Sequence, residues 1–259
     1  MPIVTVEVLA ARAERLRALH RGPRLLVLPN AWDGGTAKLV VEAGFPVVAT
    51  SSVAVAESLG WADGERTPVD EVFAAIGRIT RAVDVPVTAD LESGYGLSPV
   101  ELAARLIAAG AVGCNLEDTD HARGGLVPPE QHAARVAAVK AAGRAQGVDL
   151  VVNARVDVFV RQIGAPEERV PQAQLRANLY AEAGADCVYP ILLDDEAAIA
   201  EIVRGVPAPV NIMFRPNGPS LARLRELGVA RVSYAGGLYR AAMATVKERL
   251  AAIGAEASA

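Results

Sequence analysis

The sequence is poor in cysteine, histidine and lysine, and these shortages exclude several classes of protein. Its 259 residues include two cysteines, three histidines and only three lysines, Lys38, Lys140 and Lys247. Cys114 and Cys187 both fall in strand-like segments, so we expect reduced core residues of a cytoplasmic protein rather than a disulfide. A net charge of −4 without a basic stripe argues against a nucleic-acid partner.

Long apolar runs are also missing. Apolar residues make up 52% of the chain, yet no uninterrupted run has the length of a transmembrane helix, so we expect no membrane partner. The first segment, MPIVTVEVLAARAERLRALH, is typical of an amphipathic helix and lacks the apolar centre and cleavage site of a signal peptide. We therefore expect one domain over residues 1–259, with an N-terminal helix and a large core.

The chain repeats a single pattern, in which a short apolar run is followed by a loop and an alanine-rich helix that ends at glycine. The runs predict eight strands, at 25–29, 47–50, 85–89, 113–116, 150–154, 187–189, 210–213 and 231–234. Eight alternations of strand and helix predict a (β/α)8 TIM barrel, an α/β fold whose usual size is about 250 residues. A doubly wound sheet is the less favoured alternative.

Carboxylates follow two neighbouring strands, at the barrel end where functional groups are expected. The segment TADLESGYG places Asp90 and Glu92 two residues apart, which on a strand means the same side, and Glu117 ends the next strand. Three carboxylates held together are costly without a cation, so the pattern predicts Mg²⁺ with oxygen ligands. The alternative is that Asp90 and Glu92 cap a helix or pair with Arg155.

Further observations on histidine, lysine and arginine reduce the number of reaction types that the sequence allows. The three histidines show no metal-ligand spacing, which disfavours zinc, and no lysine follows a strand, which excludes a Schiff-base aldolase. Arg155, in VVNARVDVF, forms either an ion pair that closes the barrel mouth or a fork for a substrate carboxylate, and we favour the fork. A Mg²⁺ enzyme that stabilises the enolate of a 2-oxo acid fits these residues.

Four motifs together resemble the isocitrate lyase/phosphoenolpyruvate mutase superfamily. TSSVAVAESLGWADG, TADLESGYG, NLED and NARVDVF occur in that superfamily's order, over about residues 28–237. The resemblance implies a (β/α)8 barrel whose eighth helix, here residues 238–252, is often swapped between subunits. It also implies a homo-oligomer, either a dimer or a tetramer.

The resemblance also implies a role for each matching position. Asp90 matches the residue closest to Mg²⁺, for which Mn²⁺ can substitute, and Asp63, Glu92 and Glu117 match residues that hold the water ligands of the metal. Glu92 stands where aspartate is commoner. The positions that match substrate contacts are the backbone of Ser51, Ser52 and Val53 and the side chains of Arg155 and Asn211.

The loop after the fourth strand departs from the superfamily. Its sequence, EDTDHARGGLVPPE, lacks both the cysteine of the isocitrate lyases and the lysine of the mutases. Ile191 stands where the lyases have glutamate and the mutases histidine. The loop does carry His121, which we consider as a general acid on a closing lid, the alternative being a solvated histidine.

These residues lead to a functional expectation. We expect a Mg²⁺-dependent lyase that cleaves a C–C bond of a small 2-oxo or 2-hydroxy carboxylate through an enolate, like oxaloacetate decarboxylase or methylisocitrate lyase. Arg155, His121 and Glu117 would be catalytic. One alternative is the C–P chemistry of phosphoenolpyruvate mutase or phosphonopyruvate hydrolase, and another is a non-catalytic barrel that binds a carboxylate.

Overall fold

The computed structural model describes residues 5–258, in which short parallel strands alternate with helices. The strands are β1 Leu26–Leu28, β2 Asn30–Ala31, β3 Val48–Thr50, β4 Val87–Asp90, β5 Gly113–Glu117, β6 Val151–Val156, β7 Cys187–Pro190, β8 Asn211–Met213 and β9 Arg231–Ser233. The helices are α1 Val6–His20, α2 Gly34–Glu42, α3 Ser52–Ser58, α4 Val69–Arg81, α5 Pro99–Ala108, α6 Pro129–Ala145, α7 Val158–Arg161, α8 Pro166–Glu182, α9 Glu196–Gly205, α10 Leu221–Glu226 and α11 Gly237–Ala257.

The strands form the predicted (β/α)8 barrel. Strands β2 to β7 are neighbours in chain order, and β1, β9 and β8 form a second parallel sheet. A parallel bridge between Val188 and Val210 joins the sheets on one side. On the other side β1 lies within the predicted strand 25–29, and β2 continues the chain beyond that prediction after an interruption at Pro29, because proline has no N–H for the ladder.

Helix α1 covers the end of the barrel where the strands begin. Its buried residues Leu9, Ala13 and Leu16 recur every three or four positions and so lie on one face. Arg17 of the same helix donates to Asp186, just before β7, at 2.7 Å, and the buried Lys140 donates to the same carboxylate at 2.8 Å. Helix α1 and these ion pairs cover this end, and the predicted site residues lie at the opposite end.

Several predicted bounds move by one to two residues, for local reasons. Strand β4 begins at Val87 rather than at residue 85 because Pro86 cannot donate a ladder hydrogen bond, and it extends to Asp90. Cys114 and Cys187 are both buried and free, as expected. Within residues 5–258, none of the helices has the combination of length and hydropathy that a membrane span requires. The predicted N-terminal helix is α1, and residues 1–4 lie outside the described part.

Candidate active site

Two buried glutamates meet at the end of the barrel where the strands finish. Glu117 is the last residue of β5, Glu92 follows β4 by two residues, and each is 3% exposed. His121 lies between them, with its Nε2 2.7 Å from Glu117 Oε1 and 3.7 Å from Glu92 Oε2. The sequence spacing of the histidines did not indicate this contact, which forms because the loop after β5 folds back over the barrel.

Glu92 reaches the site by a different route from the one predicted. We expected it to extend β4 on the same side as Asp90, but the strand ends at Asp90 and Glu92 has a φ of 49°. That left-handed turn is uncommon for a residue with a side chain. Two hydrogen bonds hold it there: Glu92 accepts from the Tyr95 hydroxyl at 2.6 Å and from the Glu65 backbone N–H at 2.7 Å.

Glu65 and Tyr95 were missed in the sequence, although both hold the site together. Glu65 Oε1 accepts hydrogen bonds from the Ser93 hydroxyl and from the Tyr95 backbone N–H, each at 2.6 Å. The loop after α3 is thereby fastened to the Gly-Tyr-Gly turn after β4. The adjacency of that turn to Glu92 was the one sequence feature that could have pointed to Tyr95.

Asp90 presents an oxygen without a partner. Its Oδ2 accepts from the Ser52 backbone N–H at 3.1 Å, at the start of α3, and its own N–H donates to Thr50 Oγ1 at 2.9 Å. Its Oδ1 is buried and makes no hydrogen bond within residues 5–258. A buried carboxylate oxygen without a donor is unfavourable unless a cation takes the donor's place.

Arg155 lies between two carboxylates. Its Nε and Nη2 donate to the two oxygens of Asp157 at 2.6 and 2.7 Å, and its Nη1 lies 2.6 Å from Glu117 Oε2. The ion pair that we had treated as the less favoured interpretation is therefore present. Since a guanidinium has five N–H groups, Arg155 retains two N–H groups beyond these contacts with which to bind a substrate carboxylate.

The carboxyl groups of the site are electrostatically strained. Burial raises the pKa of Glu92 to about 7, and the charges of Asp63, Glu117 and Asp90 act in the same direction. Burial also raises the pKa of Glu117, against the opposing effect of Arg155. The hydrogen bond to Glu117 raises the pKa of His121, although burial opposes it. The cluster thus holds protons at a pH where carboxyl groups normally lose them.

The donor set fits a hard divalent cation. Glu92, Glu117 and His121 each offer a ligand atom, and these atoms lie within 4.8 Å of one another. Together with the unpartnered Asp90 Oδ1, they supply mainly the oxygen ligands that Mg²⁺ and Mn²⁺ accept. Mg²⁺ would relieve the repulsion among the carboxylates that raises the pKa of Glu92.

Comparison with known proteins identifies the family. The model of the phosphoenolpyruvate phosphomutase family matches residues 16–254. The chain belongs to this family. It is 30% identical to the 2-methylisocitrate lyase of Bacillus subtilis over 207 residues, which cover 76% of this chain and 65% of that protein.

Solved structures agree with this assignment and with the barrel. A provisionally assigned phosphonomutase from Burkholderia cenocepacia has a TM-score of 0.87 and 41% identity, over 92% of this chain and 98% of that chain. A phosphonopyruvate hydrolase in complex with oxalate and Mg²⁺ has a TM-score of 0.84 and 27% identity, over 95% and 87% of the two chains. The resemblance to the isocitrate lyase/phosphoenolpyruvate mutase superfamily is thus confirmed.

The other predicted substrate contacts of this family member lie around the barrel mouth or inside the barrel. Ser51 precedes α3 and its buried Oγ has no partner within residues 5–258, while Val53 lies in the first turn. Asn211 is fully buried at the start of β8, with its Nδ2 3.3 Å from Ser233 Oγ. Asp63 is exposed at the edge of the site, yet partial loss of solvation of its carboxyl group raises its pKa, and the charge of Asp90 raises it further.

The loop that carries His121 is anchored at both ends. Asp118 is fully buried and accepts from the Tyr180 hydroxyl at 2.6 Å and from Arg176 at 3.0 Å. Thr119 pairs with Leu126 in an antiparallel bridge. A cavity of about 510 Å³ lies between this loop, the segment 93–99 and helix α6, and Glu117 and His121 form part of its wall. A small molecule in this cavity has access to Glu117 and His121.

Proposed function

We propose that this chain is a Mg²⁺-dependent lyase that cleaves a C–C bond of a small 2-oxo or 2-hydroxy carboxylate through an enolate. The observation that carries the proposal is the unpartnered, buried Asp90 Oδ1 beside Glu92 and Glu117, with the Arg155 guanidinium next to them. The similarity to a 2-methylisocitrate lyase supports the C–C assignment. The buried, free thiols support a cytoplasmic location.

Some residues of the barrel mouth would hold the cation, and others would bind the substrate. When bound, Mg²⁺ polarises the 2-oxo oxygen and stabilises the negative charge that develops there. Asp90 would hold the ion directly, with Asp63, Glu92 and Glu117 holding its water ligands. The substrate contacts would be the free N–H groups of Arg155, the backbone of Ser51, Ser52 and Val53, and the side chain of Asn211.

His121 would supply the proton. In oxaloacetate the bond between C3 and C4 breaks, CO₂ leaves, and the bonding electrons remain on the enolate of pyruvate. The enolate then takes a proton at C3 from the protonated His121 ring, which gives pyruvate. Glu117, whose Oε1 lies 2.7 Å from His121 Nε2, orients the ring and keeps it protonated.

Substrate turnover tests the proposal. We expect pyruvate release from oxaloacetate or 2-methylisocitrate in the presence of Mg²⁺, loss of the activity in EDTA, and recovery on addition of Mg²⁺ or Mn²⁺. Turnover of phosphonopyruvate above that of every carbon acid would contradict the proposal in favour of C–P chemistry. Tight binding of 2-oxo acids without any turnover would leave a non-catalytic carboxylate-binding barrel.

Helix α11 supports a homo-oligomer, a dimer or a tetramer, in which this last helix is swapped between subunits. Of its described residues only Tyr239 is buried, and its exposed apolar residues are Leu238, Met243, Val246, Leu250 and Ile253. Most of these residues recur every three or four positions, which places them on one face.

Molar-mass measurement tests the oligomer. We expect light scattering after gel filtration to give a multiple of the 27.0 kDa chain mass and a smaller species for the double variant Val246→Asp/Leu250→Asp. Glu248→Gln, on the other side of the same helix, is the matched control and should leave the mass unchanged. A monomeric wild-type protein would contradict the assembly.

A further inference from the structure

Arg231 is a buried cation that the proposed mechanism does not use. It is the first residue of β9 and 1% exposed. Its Nη2 donates to Asn115 Oδ1 at 3.2 Å, its Nη1 lies 3.4 Å from His20 Nε2, and its Nε has no partner in the described chain. Among residues 5–258, no carboxylate lies within 4.0 Å of its guanidinium.

The neighbours of Arg231 solvate its charge without neutralising it. The His20 ring donates from Nδ1 to the Leu16 carbonyl at 2.8 Å, so Nε2 presents a lone pair to the guanidinium. His20 is neutral near pH 7, because burial and then the charge of Arg231 lower its pKa to about 4. Asn115 Oδ1 is shared with Asn153 Nδ2 at 2.8 Å. The positive charge therefore persists inside the barrel.

Two other cations of the described barrel, Lys140 and Arg155, are each paired with a carboxylate. Arg155 binds Asp157 and Glu117, and Lys140 binds Asp186. Burying a charge without a counter-charge is strongly unfavourable, so an unpaired arginine in a barrel interior requires an explanation.

The register places Arg231 on the inner wall that leads to the acidic mouth. Asn115, which it contacts, is paired with Asp90 across β4 and β5, and Arg231 itself is paired with Asn211 across β8 and β9. The charge of Asp90 is among those that stabilise the protonated guanidinium, against the burial that lowers its pKa. Asp90 and the contact with Asn115 thus link the charge of Arg231 to the site.

We infer that Arg231 is a positioning residue that tunes the site by its charge, favouring anionic ligands and opposing the cation. This inference rests on the proposed function, because it requires Mg²⁺ and a carboxylate at the mouth. A fixed positive charge near the site stabilises negative charge as it develops on the substrate. The same charge repels Mg²⁺, which keeps the ion from binding so tightly that it resists exchange.

Calorimetric titration tests the inference with a prediction of opposite signs. We expect Arg231→Met to bind Mg²⁺ about 10-fold more tightly than wild type, and the Mg²⁺-saturated variant to bind oxalate about 10-fold more weakly. Arg231→Lys, which keeps the charge, should stay within about 3-fold of wild type in both titrations. His20→Gln is the matched control, since it alters the same contact without changing charge, and it should behave like Arg231→Lys.

The outcomes separate a charge effect from a structural one. If Arg231→Met, with a native circular-dichroism spectrum, weakens both ligands or neither, the inference is wrong. If this variant does not fold, Arg231→Gln, which removes the charge but keeps an amide for Asn115, carries the same expectations. Mg²⁺ and oxalate binding with the predicted shifts but without turnover would overturn the proposed function alone. A wild-type protein that binds neither ligand would overturn both.

Discussion

Asp90→Asn is expected to lower turnover about 1000-fold or more and to abolish measurable Mg²⁺ binding. The removed charge belongs to the carboxylate whose Oδ1 accepts no hydrogen bond in the described structure. The cation therefore loses the ligand atom that no protein donor occupies. A loss of this size corresponds to about 4 kcal/mol of transition-state stabilisation, within the range that metal-ion catalysis supplies. The fold should persist, because asparagine retains an oxygen for the Ser52 N–H.

The control for this variant is an aspartate with a similar structural role away from the site. Asp33 accepts the Thr36 backbone N–H at 2.7 Å at the start of α2, as Asp90 accepts the Ser52 N–H at the start of α3. Asp33→Asn should therefore keep wild-type turnover. Steady-state kinetics with oxaloacetate and Mg²⁺ titration measure both variants. Turnover of Asp90→Asn within 10-fold of wild type, at an unchanged Mg²⁺ affinity, would show that Asp90 does not hold the ion.

Most of the fold could be predicted from the sequence because its determinants are local. Each strand is an apolar run, and the preceding helix ends at a glycine such as Gly110 or Gly184, whose φ values of 82° and 96° few other residues adopt. Two of the strand bounds differ from the prediction because of prolines whose effect on the hydrogen-bond ladder the prediction did not include. Pro29 and Pro86 interrupt or delay a ladder, and both effects follow from the missing N–H.

The site could be predicted in part. Parallel strands bring their carboxyl ends together, and this rule placed Glu117 and Asp90 correctly at the same end of the barrel. The pair Arg155 and Asp157 was not predicted, because Asp157 lies just after the end of β6 and reaches Arg155 from the turn before α7. The turn at Glu92 could not be foreseen, because its left-handed backbone depends on Tyr95 and on Glu65 from a distant loop.

The contacts of Arg231 lay beyond any local rule. His20 and Arg231 are 211 residues apart, and they meet only because α1 covers the end of the barrel where β9 begins. No spacing in a single sequence marks such a pair. Its charge, unlike that of Lys140, could be recognised as unpaired only after the carboxylates around it had been located.

Two buried histidines should make the fold sensitive to acid. Burial lowers the pKa of His20 to about 4 and that of His132 to about 3, from an ordinary value of 6.5. Below pH 6.5 the unfolded chain takes up a proton at each ring while the folded chain does not, so the free energy of unfolding falls as the pH falls. Each histidine contributes about 1.4 kcal/mol per pH unit down to its folded pKa. Between pH 6.5 and 4.5 the two together remove about 5 kcal/mol.

His132→Phe isolates one of the two contributions. Phenylalanine keeps an aromatic ring against Tyr180, whose centroid lies 4.7 Å from that of His132, and has no group that titrates. Urea unfolding at pH 7.5 and pH 5 measures how far the free energy of unfolding falls between these two pH values. This fall should be about 2 kcal/mol smaller in the variant than in wild type, because the variant lacks the ring that the unfolded wild-type chain protonates over the 1.5 pH units below 6.5. The carboxyl groups titrate in both proteins and cancel in this difference.

A buried neighbour provides the control for lost packing. Val136 lies one turn further along α6 and is fully buried, so Val136→Ala should destabilise the protein by a similar amount at both pH values. Its pH dependence should remain that of wild type, since it removes no titrating group. If the free energy of unfolding falls by the same amount in His132→Phe and in wild type between pH 7.5 and 5, His132 is protonated in the folded protein as well. Groups other than His132 would then cause the acid sensitivity.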